Sequence, residues 1–397
     1  MPRTPCTSAA TSTVTKAKNS RIPTRATVRP LRNMQVRKKK FAIRRLPPRE
    51  MPAITLTLLL CSGNCKQKTN ASAGSNWDRA GLSCRAGSRP GSRVVPPARY
   101  AGAVMATRAV VFGSLGQLGV ELVRELHRRG WEVFGYDKPD LDITDGKLVQ
   151  ERLASLAPEV VFNAAAYNQV DVAEEEPEAA FAVNALAVRN IALGCRQTGA
   201  LLVHYSTDYV FDGCAGRPYT ENDPPHPLGA YGISKLAGEY CAQAYPDRWI
   251  VIRTSGVYGP GGLHTARGNF IEVMLRLALE GKPIRVVADH VASPTYAPAL
   301  AGRSVDLVER KLDGLFHIGG GRAISWFDWA QMIFQAAGLE PELRPSSERE
   351  HRTAARRPKY SALSNAKIER LGLAPMPPLQ EALRSYLILR QAELGKA

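Results

Sequence analysis

Acidic residues are almost missing from the first quarter of this 397-residue chain. Residues 1–104 hold 21 of the 53 Lys+Arg but only 2 of the 36 Asp+Glu. Residues 105–397 therefore hold 32 basic and 34 acidic residues, a net of −2, against +17 for the whole chain. The basic character belongs to the N-terminal segment, so the body carries no sign of a nucleic-acid-binding function. That segment also lacks any sustained helical or strand period and has few large apolar residues. Such a composition cannot bury enough surface to offset chain entropy. Its one apolar stretch, from Pro52 to Cys61, is too short to span a bilayer and too far from Met1 to serve as a signal peptide. Three readings stand for 1–104: a disordered basic tail, a transit-like peptide, or upstream sequence translated in error before a start at Met105. The last is preferred, because Met105-Ala106-Thr107-Arg108 leads directly into the first strand-like run.

Cysteine is sparse and scattered. Four of the seven (Cys6, Cys61, Cys65, Cys84) fall in the basic segment and three (Cys195, Cys214, Cys241) in the body. The Cys61-x-x-x-Cys65 pair has no downstream Cys/His pair at zinc spacing, so no metal site is expected. The body cysteines lack the spacing of a disulfide framework and read as free thiols in a reducing, cytoplasmic compartment. No internal repeat or low-complexity run interrupts the body.

From Arg108 onward, short apolar runs alternate with longer amphipathic stretches. Strands are predicted at 109–112, 132–136, 160–162, 201–205 and 250–252. Helices are predicted over 117–129, 144–156, 177–199 and 231–245. This alternation predicts an α/β fold with a doubly wound parallel Rossmann sheet and right-handed crossovers. Beyond Gly259-Pro260-Gly261-Gly262 the rhythm loosens. Helices at 269–279 and 297–309, strands at 284–287 and 315–318, and two later helices suggest a smaller mixed α/β lobe.

Gly113-x-x-Gly116-x-x-Gly119 follows the first strand and opens the first helix. Glycines there let the backbone turn tightly and approach a pyrophosphate seated on a helix N-terminus. The expected division is therefore an NAD(P)-binding domain at 105–258 and, mainly, a substrate lobe at 259–397, with interleaving allowed. Asp137 closes the second strand, where an acid accepts hydrogen bonds from the adenosine ribose and favours NADH. Lys138 beside it tolerates a 2′-phosphate, so NADPH stays open. The alternative is a turn aspartate before Pro139. Asp142 and Ile143 are placed to flank an adenine, or equally to cap a helix and fill the core. The small residues in Asn163-Ala164-Ala165-Ala166 allow close approach at the carboxyl edge of the sheet.

Ser206, Thr207 and Asp208 end another strand, where a hydroxyl can donate to a substrate carbonyl. Tyr231 and Lys235, four apart on a helix, share one face. An ammonium beside a phenol lowers the phenol's pKa and makes it a proton donor near neutral pH. Hydride chemistry from a dinucleotide would complete the set. Arg253 is either a substrate contact or a structural arginine at a strand end. His264, His290 and His317 are isolated and read as structural or solvent-facing.

Several stretches together carry a family resemblance. They are Gly116-Gln117-Leu118-Gly119, Asn163-Ala164-Ala165-Ala166, Val170-Asp171, Tyr205-Ser206-Thr207-Asp208-Tyr209-Val210-Phe211, Tyr231-Gly232-x-x-Lys235-x-x-Gly238-Glu239, Arg253-Thr254-Ser255, Asn269-Phe270, Pro294-Thr295 and Arg357-Pro358. From about Thr107 to about Leu387 the chain resembles the dTDP-4-dehydrorhamnose reductase family of the extended short-chain dehydrogenase/reductases. The resemblance implies reduction of dTDP-4-dehydro-β-L-rhamnose to dTDP-β-L-rhamnose with NADPH or NADH. It implies that Tyr231 protonates the C4 oxygen, and that Lys235 holds the nicotinamide ribose and lowers the Tyr231 pKa. Thr207 would bond the reacting oxygen, Asp208 would contact the sugar, and Val170 would line the sugar site. Gly116, Gln117, Leu118, Asp137, Asp142, Ile143, Ala166, Tyr167 and Asn168 would contact the cofactor.

The basic run 351–359, with Arg357, offers forked donors to a nucleotide-sugar diphosphate, or is a solvated loop. Two departures from the family pattern stand out: Gly256, where many relatives have a tryptophan that packs on the sugar, and Asn168-Gln169 in place of a smaller pair. Other readings on the same resemblance are a related nucleotide-sugar reductase or epimerase, and a regulatory subunit like that of methionine adenosyltransferase. The implied partner is a dTDP-sugar, with no nucleic acid and no membrane; a homodimer stays open.

Overall fold

The computed structural model describes residues 106–265, 268–350 and 352–395. The readings of 1–104 and of a start at Met105 lie outside the described residues. Ten strands are formed: β1 (Arg108–Phe112), β2 (Glu132–Tyr136), β3 (Val160–Asn163), β4 (Leu201–Thr207), β5 (Trp249–Thr254), β6 (Ile284–Val287), β7 (Val291–Ala292), β8 (Gly314–His317), β9 (Ile324–Ser325) and β10 (Leu343–Ser346). Six of them build one parallel sheet in the order β2-β1-β3-β4-β5-β8. The winding direction reverses between β1 and β3, and at such a point the loops leaving the carboxyl ends diverge and open a crevice.

The strands alternate their side chains between two apolar layers. On one face α1 (Gln117–Arg128) sends Leu122 and Leu126 against Val111, Phe162, Val203 and Ile252. On the other, α2 (Gly146–Leu156) sends Val149 and Leu153 against Val110, Val161, Leu202 and Val251. The side chain of Asp145 accepts from the Lys147 and Leu148 amides, so α2 starts at Gly146 and not at the predicted 144.

The stretch predicted as one helix over 177–199 is broken. A short α3 (Val172–Glu175) precedes α4 (Pro177–Phe181), a π-helical turn fills Ala182–Leu186, and α5 (Ala187–Thr198) follows, capped by Gly199. The wider turn has a polar cause. Buried Asn184 accepts from the Tyr167 amide (2.9 Å) and donates to the Tyr167 carbonyl (2.9 Å) and to Ser234 Oγ (3.0 Å). Ser234 lies on α6 (Ala230–Ala244), which joins α2 and α5 on the second face. A π-turn of this kind commonly marks a functional region.

Past β5 the chain leaves the sheet, builds part of a second lobe, and then returns. α7 (Phe270–Leu279), capped by the Asn269 side chain, belongs to the lobe. α8 (Ala297–Glu309) goes back to the sheet and packs beside α1, contributing Leu300, Ala301 and Val305 to its core. Arg129 fastens this pairing through Asp306 (2.7 Å) and Glu309 (2.5 Å). β8 then adds the sixth strand. The two lobes interleave, as the division at 258 allowed: 297–317 lie with the sheet, where the apolar face of α8 shares a core with α1, the strands and Ile368, Leu373 and Met376 from the later chain.

The lobe itself packs α7, α9 (Trp326–Ala337) and α11 (Leu379–Leu394) around Tyr258, Trp329 and Tyr386. The short β10–β6 and β7–β9 pairs border it. With α10 (Ala366–Arg370) there are three late helices and not the predicted two.

Replacing Asn184 by Ala strands the Tyr167 amide and carbonyl. The expected loss of unfolding free energy is roughly 2–3 kcal/mol, read by urea denaturation. A loss below about 0.5 kcal/mol, the range of neutral surface changes, would show that Asn184 does not hold the π-turn.

Candidate active site

A cavity of about 590 Å³ lies over the β1/β3 reversal. Its floor begins at the glycine turn. Gly113 adopts φ +74°, and a Cβ on it would stand 2.6 Å from the Ala165 amide nitrogen. A Cβ on Gly119 would stand 1.9 Å from the Gly113 carbonyl oxygen. The turn, the N-terminus of α1 and the Ala164-Ala165 backbone therefore close into a cradle that only glycine permits.

Gly116, Gln117 and Leu118 line the cavity, with Asp142, Ile143, Ala166, Tyr167 and Asn168 further along it. Gly119 serves as packing below the turn. Asp137 also lines the cavity, and its Oδ2 accepts from the Leu115 amide (2.5 Å) and Ser114 Oγ (3.2 Å). That carboxylate fastens the turn to the end of β2. Exposed Lys138 leans 3.6 Å from Asp142. Asp142 accepts from the Thr144 amide and hydroxyl, and the backbone bond foremost holds its pKa below the ordinary value. Gln117 donates to the Val257 carbonyl (2.5 Å), tying the turn to the segment after β5.

The opposite end of the cavity is formed by β4 and α6. Thr207, Asp208, Tyr231 and Lys235 all line it. Lys235 is nearly buried and donates to the Tyr205 carbonyl (2.6 Å). Burial brings its pKa down to about 8, and the charge of Glu239 opposes that fall. Tyr231 is pushed up to about 12 by burial and by the charge of Asp208, with the Thr207 hydroxyl pulling the other way. The expected lowering of Tyr231 by Lys235 is thus corrected for the protein alone. The ammonium is turned toward a backbone carbonyl, and desolvation of the phenol dominates.

Asp208 is 3% exposed. Its Oδ2 accepts from Ser255 (2.9 Å) and Ser361 (2.5 Å), and its Oδ1 from Thr207 (3.2 Å). Burial raises its pKa to about 6 against these bonds.

Of three expected substrate contacts, two lie away from both main cavities and the third lines the second of them. Arg253 is buried behind the cavity, giving Nε and Nη2 to Glu239 at 2.9 and 2.7 Å, with its guanidinium 5.1 Å from the Phe211 ring centroid. It is the structural arginine of the two readings, and Ser206 completes that cluster by donating to Glu239 (2.5 Å). Val170 sits in a crevice behind Tyr231, beside Tyr209 and Pro358, and not in the main cavity. Arg357 lines a second cavity of about 360 Å³ and is bound to Asp171 by two contacts, of 3.0 and 2.7 Å.

Sequence reasoning missed Asn184, Ser255 and Ser361 as supports and used Glu239 only as a motif letter. A polar Asn184 on the apolar face of a helix was the one available signal. Among the described residues no group of three His, Cys, Asp or Glu could hold a metal ion.

A dinucleotide cradle at the reversal of a doubly wound sheet, with a Tyr-x-x-x-Lys helix across the cavity, is the arrangement of the short-chain dehydrogenase/reductases. Comparison with known proteins narrows the class. Residues 107–391 match the family model described as the RmlD substrate binding domain. The chain is 38% identical over 281 residues to the spore coat polysaccharide biosynthesis protein SpsK of Bacillus subtilis, covering 71% of this chain and 97% of that protein. It is 39% identical over 285 residues to a dTDP-4-dehydrorhamnose reductase of Mycolicibacterium smegmatis, covering 71% and 85%. The crystal structure of a Bacillus anthracis dTDP-4-dehydrorhamnose reductase in complex with NADP superposes with a TM-score of 0.68 at 36% identity, covering 72% of this chain and 99% of that one. The chain belongs to the dTDP-4-dehydrorhamnose reductase family.

Two outcomes follow from the buried charges. The folded-state pKa of Asp208 is above the ordinary value of 3.8, so between these limits the native state binds the extra proton. Its contribution to stability falls as pH rises through that window. Unfolding free energies measured from pH 4 to 7 should show this slope in the wild type and not in Asp208→Asn; parallel curves would sink the assignment. Arg253→Met should cost roughly 3–5 kcal/mol of stability by leaving Glu239 buried and unpaired, measured by chemical denaturation.

Proposed function

We propose that the protein is an NAD(P)H-dependent oxidoreductase that reduces dTDP-4-dehydro-β-L-rhamnose to dTDP-β-L-rhamnose. The observation that carries this reading is the convergence of Tyr231, Thr207 and Lys235 at one end of the cavity whose other end is the glycine cradle and Asp137. The cradle fits a dinucleotide, since the positions where its backbone must approach a diphosphate have no room for a Cβ. Gly113, Gly116, Gln117 and Leu118 would hold the diphosphate region. Asp137, with one oxygen not engaged by the turn, would take the adenosine ribose, and Lys235 the nicotinamide ribose. When bound, the reduced nicotinamide supplies a hydride.

The remaining roles belong to side chains. Thr207 holds the C4 oxygen of the sugar in line with the phenol. Tyr231, protonated through neutral pH because its pKa is about 12, gives its proton as that oxygen gains charge. Lys235 carries positive charge below about pH 8 and stabilises the phenolate left behind. Asp208 keeps Thr207 in position. The second cavity, with Phe270 and Met274 on its walls and Arg285 and Arg357 among its charges, is suited to the nucleotide half of the substrate, and Trp326 borders it on the side of Gly256.

A carboxylate at the ribose position disfavours a 2′-phosphate, so NADH is the preferred cofactor. Among the described residues Cys195, Cys214 and Cys241 are free thiols, and no helix is long and apolar enough to cross a membrane.

The test is cofactor oxidation by the full chain with dTDP-4-dehydro-L-rhamnose. Tyr231→Phe should lower kcat by roughly 10²–10⁴-fold with cofactor binding kept; unchanged turnover would end the proposal. Asp137→Asn, which removes the charge but keeps an acceptor, should raise the NADPH-to-NADH ratio of kcat/KM roughly tenfold. A fixed ratio would show that Asp137 does not select the cofactor.

A further inference from the structure

Gly256 lines the reaction end of the first cavity, yet it offers no side chain there. Its φ is +50°, in the left-handed region, and an added Cβ would stand 3.2 Å from Trp326 Cη2 and 3.4 Å from Pro294 Cα. The space that a residue at 256 would fill is occupied from the other lobe. Trp326 is the first residue of α9, and its indole packs on the Phe270 ring with centroids 4.7 Å apart. The same indole lines the second cavity. It lines the second cavity on the side of Gly256, which lines the first, with the all-carbon tip of its six-membered ring directed at that glycine.

The backbone that carries the indole is fixed. The Trp326 amide donates to the His290 carbonyl (3.1 Å). Ser325, just before it, caps α9 by accepting from the Asp328 amide (3.0 Å) and donates to the Asp328 carboxylate (2.7 Å). The polar groups of the reaction end, Thr207, Asp208 and Tyr231, come from β4 and α6. A hexose ring lying between them and the second cavity presents a hydroxyl-bearing edge to the polar side and a C–H face to the other. Aromatic rings are the usual partners of such apolar faces, since they offer large area at little entropy cost.

We infer that Trp326 is a specificity-determining positioning residue, the apolar wall against which the hexose ring of the nucleotide sugar lies, and that Gly256 exists to admit it. The inference rests on the keto-sugar reading given above. It makes the sugar-facing wall a property of the second lobe, delivered across the cavity, with no aromatic group supplied by the β5 end itself.

The experiment uses the full chain and four measurements: kcat and KM with dTDP-4-dehydro-L-rhamnose, KM for NADH, inhibition by dTDP alone, and the thermal midpoint. Trp326→Ala should lower kcat/KM for the sugar nucleotide roughly 10–100-fold, the effect of a misplaced substrate. KM for NADH and the inhibition constant of dTDP should change by less than about twofold, within the noise of neutral changes. Trp326→Phe should restore much of the loss. Gly256→Ala, which crowds the indole tip, should lower the same parameter, and its effect should shrink, to the part due to backbone strain at φ +50°, when Trp326 is already Ala, a non-additive cycle.

An unchanged kcat/KM in Trp326→Ala overturns the inference. So does a parallel loss of dTDP binding, which would assign the indole to the nucleotide. If Trp326→Ala does not fold, Trp326→Phe and Gly256→Ala both matching the wild type overturn it equally. Wild-type protein that turns over no keto-sugar defeats the underlying reading, whereas active wild type with indifferent variants defeats only the role of Trp326.

Discussion

The carboxylate of Asp208 is the tie on which the reaction end depends. It is almost fully withdrawn from water and shared among hydroxyls from three places: Thr207 at the end of β4, Ser255 just past β5, and Ser361 from the returning chain of the second lobe. A buried carboxylate left short of donors is costly, so these segments are held in one arrangement. Directly behind it, Glu239 takes two bonds from Arg253 and one from Ser206. Of the successive residues at this strand end, Ser206 and Asp208 are fixed by distant partners, and Thr207 is held between them by bonding to Asp208 and the Tyr209 amide. The distance between Thr207 and Tyr231 is set by this lattice and not by local backbone preference.

That fixation suits a reduction. A phenol with its pKa raised to about 12 stays protonated at any physiological pH and releases its proton only to an oxygen that is becoming an alkoxide. Lys235 has the complementary character. Its depressed pKa, about 8, records the cost of keeping an ammonium away from water. That charge has one backbone carbonyl as an anchor and two N–H groups left for whatever enters the cavity.

Much of the fold was legible because its signals are local. The parallel strands announce themselves as apolar runs, and α1, α8 and the start of β2 were placed within a residue or two by amphipathic spacing and glycine stops. The glycine cradle and the Tyr231–Lys235 pair were legible for the same reason, since each is a short motif whose geometry is imposed by one turn or one helix face. What was not legible is non-local. Arg253 looked like a substrate contact because its sequence neighbours are functional, and only Glu239, fourteen residues earlier on a separate helix, shows that it is structural. Val170 and Arg357 face other cavities than the first, since a position beside a motif does not fix which side of Tyr231 a side chain reaches. The broken helix at Asn184 escaped because Ala182, Ala185 and Leu186 around it are good helix formers, while the wider turn coincides with hydrogen bonds from Asn184 to Tyr167 and Ser234.

The sixth strand of the sheet comes from beyond β6 and β7, so β5 pairs with residues that leave the ribosome some sixty positions later (Ile250 opposite Gly314). During synthesis the first five strands must wait with a bare edge while part of the other lobe emerges. Long-range pairing of this sort slows folding, and an exposed strand edge invites association with other chains. The nascent protein is therefore most vulnerable just before Gly314–His317 arrives, and chaperone demand in the cell should concentrate in that interval.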